Sequence, residues 1–285
     1  MERRLRIGEL SAKSGVSADL LRAWERRYDL LRPGRSQGGY RLYSSADEER
    51  VRAMVRHLRS GVPAGEAARL VLDEDRSVGP VATSELSAMG TELRAAVERF
   101  DDAGTQAALD TLTASFSFET IAREVILPYL RELGERWERG EVSVAQEHFA
   151  TVVLRGRLLA FARGWDRGAG PRALLACAPE ERHELGLLIF GLALRQFGWR
   201  ITYLGADTPI DTLIAAAADL SPAAVVLVAL TPEKLEQHRE RLRRLGKDTR
   251  LLLGGSGAQE GLADAVGAEL MSSDPLGAAN DLAGG

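Results

Sequence analysis

The sequence predicts a multidomain chain: an all-α head over residues 1–76, a four-helix bundle over 85–166, and an α/β domain with a doubly wound parallel sheet over 171–285. Three observations carry this. Residues 7–28 hold two short helical patterns separated by a glycine. From Glu85 to about Trp165, apolar residues recur at three- and four-residue spacing. From Arg172 onward, short runs rich in Val, Ile and Leu alternate with helical segments.

A chain of 285 residues has room for two or three domains of roughly 100–200 residues each. The single cysteine, Cys177, excludes a disulfide framework and any Cys-rich metal site. "MERRLRIGEL" runs straight into a polar helical pattern and not into an apolar signal segment, and no run approaches the roughly eighteen apolar residues that span a bilayer. A soluble, cytoplasmic protein without membrane contact is expected. The net charge of −4 is unevenly spread: residues 1–76 carry 16 Lys and Arg against 12 Asp and Glu, the remainder 21 against 29. A basic head on an acidic body points to a polyanionic partner for the head.

Within the head, "LRIGELSAKSGVSADLLRAWERRYDLL" holds a first helix from about Ile7 to Ser14, ended by Gly15, and a second capped by Ser17. Leu21, Trp24 and Tyr28 share the buried face of the second, which makes Trp24 a core residue. Arg22, Arg26 and Arg27 fall outside that stripe. Two helices joined at a tight glycine turn, arginines outward, form a helix-turn-helix. "RPGRSQGGYRLYS", Arg32 to Ser44, reads as a β-hairpin, with Arg35, Tyr40 and Arg41 about its tip. "SADEERVRAMVRHLRSGVPAGEAARLVLDED" adds two closing helices, and "RSVGPVATSE", Arg76 to Glu85, has the composition of a linker. The combination "WERRY…RPGRSQGGYRLYS" resembles the winged helix-turn-helix head of MerR-type transcription regulators. The resemblance implies that the second helix enters the major groove of double-stranded operator DNA while the wing grips its flank. Arg22, Arg26, Arg27, Arg35, Tyr40 and Arg41 would then be the contacts, mostly to phosphate.

The bundle is read from four amphipathic segments, "ELSAMGTELRAAVERF", "AGTQAALDTLTASF", "SFETIAREVILPYLRELGERWERG" and "VSVAQEHFATVVLRGRLLAFARGW". Trp137 stands at the end of the third, just before Gly140. Glu147 and His148 stand in the first half of the fourth, so all three can line one patch across the helix–helix corner.

Five apolar runs define the last domain: "ALLACAP", "RITYLGA", "AAVVLVAL", "RLLLGG" and "ELMSS". Their alternation with helices argues for a flavodoxin-like parallel sheet, whose ligands sit beyond the carboxyl ends of the strands. The first such loop, "PEERHELG", places Glu181, His183 and Gly186 there. The fourth, "GGSG", places Gly254 and Gly255, whose backbone can approach a ligand closely. A phosphotransfer receiver needs an Asp at the end of the third strand; this one ends "VALTP", which excludes that reading.

"E-R-H-E-L-G" resembles the Asp-x-His-x-x-Gly signature of cobalamin-binding domains, with Gly254 and Gly255 matching that family's glycine pair. The resemblance implies that His183 is the lower ligand of cobalt, Glu181 the hydrogen-bond partner of its other ring nitrogen, and Gly186 and the glycine pair neighbours of the cofactor. Glu181 replaces the usual Asp. Where the family often has Ser-x-Leu at the end of the third strand, this chain has Val228-Ala229-Leu230, so a hydroxyl partner for the buried nucleotide base is missing.

Head, bundle and cobalamin domain in this order, with Trp-x9-Glu-His, resemble the CarH/LitR family of adenosylcobalamin-dependent light-sensing repressors over essentially the whole chain. This implies that Trp137 packs against the 5′-deoxyadenosyl group and that Glu147 and His148 complete its pocket. It also implies a dimer of dimers that binds DNA in the dark and a smaller assembly after light breaks the cobalt–carbon bond. Well-known members carry a His directly after the motif Trp that takes the upper cobalt position after light; here Glu138 stands there, leaving water or His148 for that place. A non-enzymatic regulator is expected. The alternatives are a cobalamin sensor without light control, a MerR-type regulator that has lost cobalamin, and a corrinoid-dependent methyltransferase module, against which the DNA-binding head argues.

Overall fold

The computed structural model describes residues 5–35, 39–59, 61–77 and 80–284, with the helical backbone alone at 73–77 and 80–83. The chain divides into two compact units, Met1–Glu85 and Leu86–Ala283.

In the first unit, α1 (Ile7–Ser14) ends at Gly15 in a left-handed conformation, and α2 (Ala18–Tyr28) begins at Ser17, whose hydroxyl accepts from the Leu20 N–H. These are the two boundaries that glycine and serine impose on a polar sequence. The wing pairs β1 (Gly34–Arg35) with β2 (Arg41–Leu42) antiparallel, and Leu5 bridges Tyr43 beside it. Its tip, residues 36–38, lies outside the described residues. Then α3 (Ser45–Arg59) and α4 (Ala64–Ser77) close a core that includes Leu10, Leu21, Trp24, Tyr43 and Met54. Asp47 is the fixed point: its buried carboxylate accepts from the Arg32 and Ser44 N–H groups at 2.7 and 2.9 Å and from Arg50 at 2.7 Å. It thereby ties both ends of the wing to α3.

The expected linker is largely helical. The helix α5 (Pro80–Glu98) starts at a proline, which fits a first helical position because its missing N–H has no partner there anyway. Residues 78 and 79 lie outside the described residues.

In the second unit, α5 is followed by α6 (Asp102–Ser115), then by one long helical run, then by α9 (Val144–Phe161). The long run is not uniform, as its periodicity had suggested. It comprises α7 (Phe118–Ile121), a π-helical turn (Ala122–Ile126) and α8 (Leu127–Glu138). Pro128 supplies the cause: without an N–H, and with a ring that crowds the carbonyl four residues back, it widens the preceding turn.

The parallel sheet has the order β4-β3-β5-β6-β7, from β3 (Arg172–Cys177), β4 (Arg200–Gly205), β5 (Ala224–Val228), β6 (Leu251–Gly254) and β7 (Glu269–Leu270). Helices α10 (Leu185–Gln196) and α15 (Pro275–Gly284) cover one face, and α11 (Ile210–Leu220), α13 (Arg239–Asp248) and α14 (Glu260–Val266) the other. The crossover after β5 is broken into a short α12 (Glu233–Glu236) and α13. Helix α10, "LGLLIFGLALRQ", is apolar nearly all round because it packs on β3 and β4 on one side and on α9 on the other. One core therefore runs from the bundle through α10 to the sheet. Among the described residues, no helix is long and apolar enough to cross a membrane.

Candidate functional site

The carboxyl ends of the strands carry the site. Past β3 the chain makes a loop in which Glu180 adopts φ 65°, and its N–H bonds the Asp207 carboxylate in the loop after β4 at 2.7 Å. Asp207 is itself left-handed at φ 49°, and its N–H returns to the Glu181 carbonyl at 2.8 Å. Two strained residues brace one another, a pattern that concentrates at functional sites.

Glu181 is fully buried, yet four groups on three residues meet its carboxylate. Its Oε1 accepts from the His183 N–H at 3.0 Å and pairs with His183 Nδ1 at 2.6 Å. Its Oε2 accepts from the Leu230 N–H at 2.8 Å and from Lys234 Nζ at 3.1 Å. Burial alone would raise this carboxyl pKa. The Leu230 and His183 amides, the His183 ring and the Lys234 ammonium outweigh it and hold Glu181 at about 2. An ionised carboxylate only accepts, so Nδ1 is the nitrogen that donates to it, and Nε2 is the one left facing away to act as a ligand. The His183 side chain is 65 % exposed, which leaves Nε2 accessible.

Three loops are locked here. The loop after β5 supplies Leu230 to Glu181, and the Leu230 carbonyl accepts from the Ser256 hydroxyl at 2.8 Å. The Ala229 carbonyl accepts from the Gly257 N–H at 3.0 Å. A Cβ on Gly255 would lie 2.2 Å from the Ala229 carbonyl oxygen, and one on Gly257 2.5 Å from the Thr231 carbonyl carbon. These glycines are thus required by loop-to-loop contact, a reason the sequence reading did not give. At Gly254 a Cβ would press on Met271 and Val228, whereas Gly186, in the first turn of α10, has only Pro275 nearby.

One residue past His183, Glu184 is buried at the start of α10. Its carboxylate accepts from Arg155 of α9 and from the Tyr203 hydroxyl of β4. Burial and this carboxylate push the Tyr203 phenol upward, so it stays a donor. Trp165 lies against Tyr203 with ring centroids 5.7 Å apart. Arg155 therefore joins the bundle to the loop that bears His183. Counting back along α9 from Arg155, Val152, His148 and Val144 share its face of the helix. Val152 and His148 are 67 % and 72 % exposed. Glu147 borders this face and accepts from Thr151 at 2.8 Å; its approach to His148, 3.6 Å, is longer than a hydrogen bond. Trp137, at the end of α8, is 50 % exposed, unusual for the largest apolar side chain. The sequence reading named Trp137, Glu147, His148, Glu181 and His183. It missed Lys234, Glu184, Arg155 and Tyr203, although Arg155 is visible as a lone cation in "TVVLRG".

Among the described residues, no three His, Cys, Asp or Glu side chains converge to hold a metal ion. A single oriented imidazole suits a metal that arrives with its other ligands, as cobalt does in a corrin ring. His183, with Nδ1 tied to a carboxylate and Nε2 accessible, fits that group. Cys177 does not take part: burial first, then Glu184 and Glu181, push its thiol up to about 12.

In the head, Arg22, Arg26 and Arg27 are exposed on α2, and Arg35 and Tyr40 on the wing. Arg22 pairs with Asp19 at 3.1 Å, and Arg6 lies over the Tyr40 ring. Arg41 is engaged differently: its Nε donates to Glu25 of α2 at 2.9 Å, and the Tyr43 hydroxyl donates to the other oxygen at 3.0 Å. Burial and Glu25 push the Tyr43 phenol up to about 12. This cluster clamps wing to helix.

Three family models match the chain: one described as a MerR HTH family regulatory protein over residues 5–74, and two described as B12 binding domains over 90–160 and 171–270. The chain is 34 % identical over 253 residues to the HTH-type transcriptional repressor CarH of Myxococcus xanthus, covering 86 % of this chain and 85 % of that one. It is 35 % identical over 264 residues to the repressor CarA of the same organism, covering 90 % and 88 %. The monomethylamine corrinoid protein of Methanosarcina barkeri superposes with a TM-score of 0.58 at 18 % identity, over 67 % of this chain and 95 % of that one, which speaks to the fold alone.

Proposed function

This chain belongs to the family of MerR-type regulators with cobalamin-binding domains that includes CarH and CarA, and on that premise we propose that it is a cytoplasmic, adenosylcobalamin-dependent, light-sensitive transcriptional repressor. The observation that carries this is the Glu181–His183 pair: a fully buried carboxylate fixing an exposed imidazole in one tautomer. No DNA-binding function asks for that at the far end of the chain. A protein ligand to cobalt does.

When bound, adenosylcobalamin supplies a cobalt–carbon bond that green light breaks. The chain's residues do the rest. His183 offers Nε2 below, with Glu181 setting the ring. The face of α9 bearing His148 and Val152, with Trp137 and Glu147, covers the adenosyl group; an exposed indole and two valines exclude water from a flat nucleoside. Arg155 and Glu184 hold that face to the His183 loop. The covered arrangement favours a dimer of dimers, whose several heads bind operator DNA with avidity, and losing the cover on illumination favours the smaller assembly. Glu138, exposed at the end of α8, favours one second reading: a cobalamin sensor on which light acts weakly or not at all.

The test is retention of operator DNA on a gel in the dark, with and without adenosylcobalamin, and again after green light. The proposal expects retention only with the cofactor in the dark, and none for His183→Ala under any condition. Equal retention with and without cofactor would contradict it. Retention that survives light would leave the second reading.

A further inference from the structure

We propose that Lys234 is a positioning residue for cobalt ligation: its ammonium pins the Glu181 carboxylate, and through it the His183 imidazole. This rests on the reading of His183 as the lower ligand.

A glutamate has one more rotatable bond than an aspartate, so the same carboxylate on a longer arm needs more restraint to orient a ring. This chain provides it. Oε1 serves His183 through both its backbone N–H and Nδ1, while Oε2 is held by the Leu230 N–H and by Lys234. The strand that ends at Val228 offers no hydroxyl near this point, and Lys234, on the short α12 just beyond, brings a charge instead. Without it a fully buried carboxylate would keep the amide donors and the His183 ring but lose the one lysine ammonium that meets it. Lys234 is mostly buried, so its stem lies along the loop and does not wave in solvent. The chain holds 37 Lys and Arg, and only Lys13, Lys234 and Lys247 are lysine. The role is carried by the charge and one hydrogen bond, which a compact ammonium delivers here in a residue type the chain seldom uses.

The experiment uses full-length protein labelled with nitrogen-15 histidine, loaded with cob(II)alamin and read by electron paramagnetic resonance. A protein imidazole on cobalt splits the axial lines into doublets; the cofactor's own nitrogen-14 base splits them into triplets. The wild type is expected to show the doublet. Lys234→Met is expected to lose most of it and to bind about tenfold more weakly, while Lys234→Arg restores both. Lys234→Gln, which keeps a donor without the charge, serves if the methionine variant does not fold, and is expected to lose doublet intensity too. A full doublet with unchanged affinity in Lys234→Met or Lys234→Gln would overturn the proposal and leave His183 as ligand. Absence of the doublet in the wild type would overturn the ligand reading and this inference with it.

Discussion

Single side chains decide more here than their number suggests. Glu181 has a folded pKa of about 2 against an ordinary 4.5, so its stabilising share is complete above 4.5 and is lost as the pH falls toward 2. That share is on the order of 3 kcal/mol. Melting temperatures of the apoprotein between pH 5 and 2.5 should therefore fall more steeply for the wild type than for Glu181→Gln; parallel curves would contradict the assignment. Asp47 plays the equivalent part in the head, where its four donors hold the wing. Asp47→Ala removes the buried carboxylate that meets Arg50 and the Arg32 and Ser44 amides, and is expected to cost the head about 3 kcal/mol by chemical unfolding. Arg26 and Arg27 are expected to touch phosphate, and replacing either by Ala should weaken DNA binding uniformly across sequences and reduce the salt slope by about one. Arg41→Ala should act differently, by releasing the wing from Glu25.

At the level of elements, the loops at the carboxyl ends of the strands are set by backbone contacts as well as by side chains. Gly257→Ala places a methyl against Thr231, and its melting temperature is expected to drop by several degrees even without any ligand, with Ser256→Ala near neutral. Arg155→Ala removes a pair whose acid is buried and should loosen α9 from α10, seen as faster amide exchange in α9. Much of this architecture was legible beforehand. The left-handed Gly15 and the Ser17 cap mark the helix-turn-helix, and five apolar runs mark the strands, because each is a local signal. The pairing of Glu181 with His183, which the structure shows as a hydrogen bond, was legible only through the resemblance to the cobalamin-binding signature. The π turn was not, since a period-3.6 pattern hardly changes over five residues and only Pro128 betrays it. Lys234 was not, because its partner lies 53 residues earlier and only the fold brings α12 beside that loop. The described residues of the Arg76–Glu85 segment are helical, which its Pro, Ser and Gly content did not reveal because that content fits a helix start as well as a linker.

Across the whole molecule, the basic head and the acidic remainder divide the work between DNA and a sensor, and family membership joins the two. On the proposed function, the Arg155–Glu184 pair that ties the bundle to the sheet, next to His183, would give a change at the bundle's side of the cofactor a short path to the bundle. Trp137→Ala is expected to leave cofactor colour intact while weakening the dark assembly, since it removes cover and not the lower ligand; a colourless variant would contradict that division. The most direct test is size-exclusion chromatography of apoprotein mixed with adenosylcobalamin in the dark, followed by absorbance, before and after green light. The proposed function requires a coloured species larger than the apoprotein that shrinks on illumination, and a His183→Ala variant that never forms it. A protein that stays colourless, or a coloured species whose size ignores both cofactor and light, would contradict it.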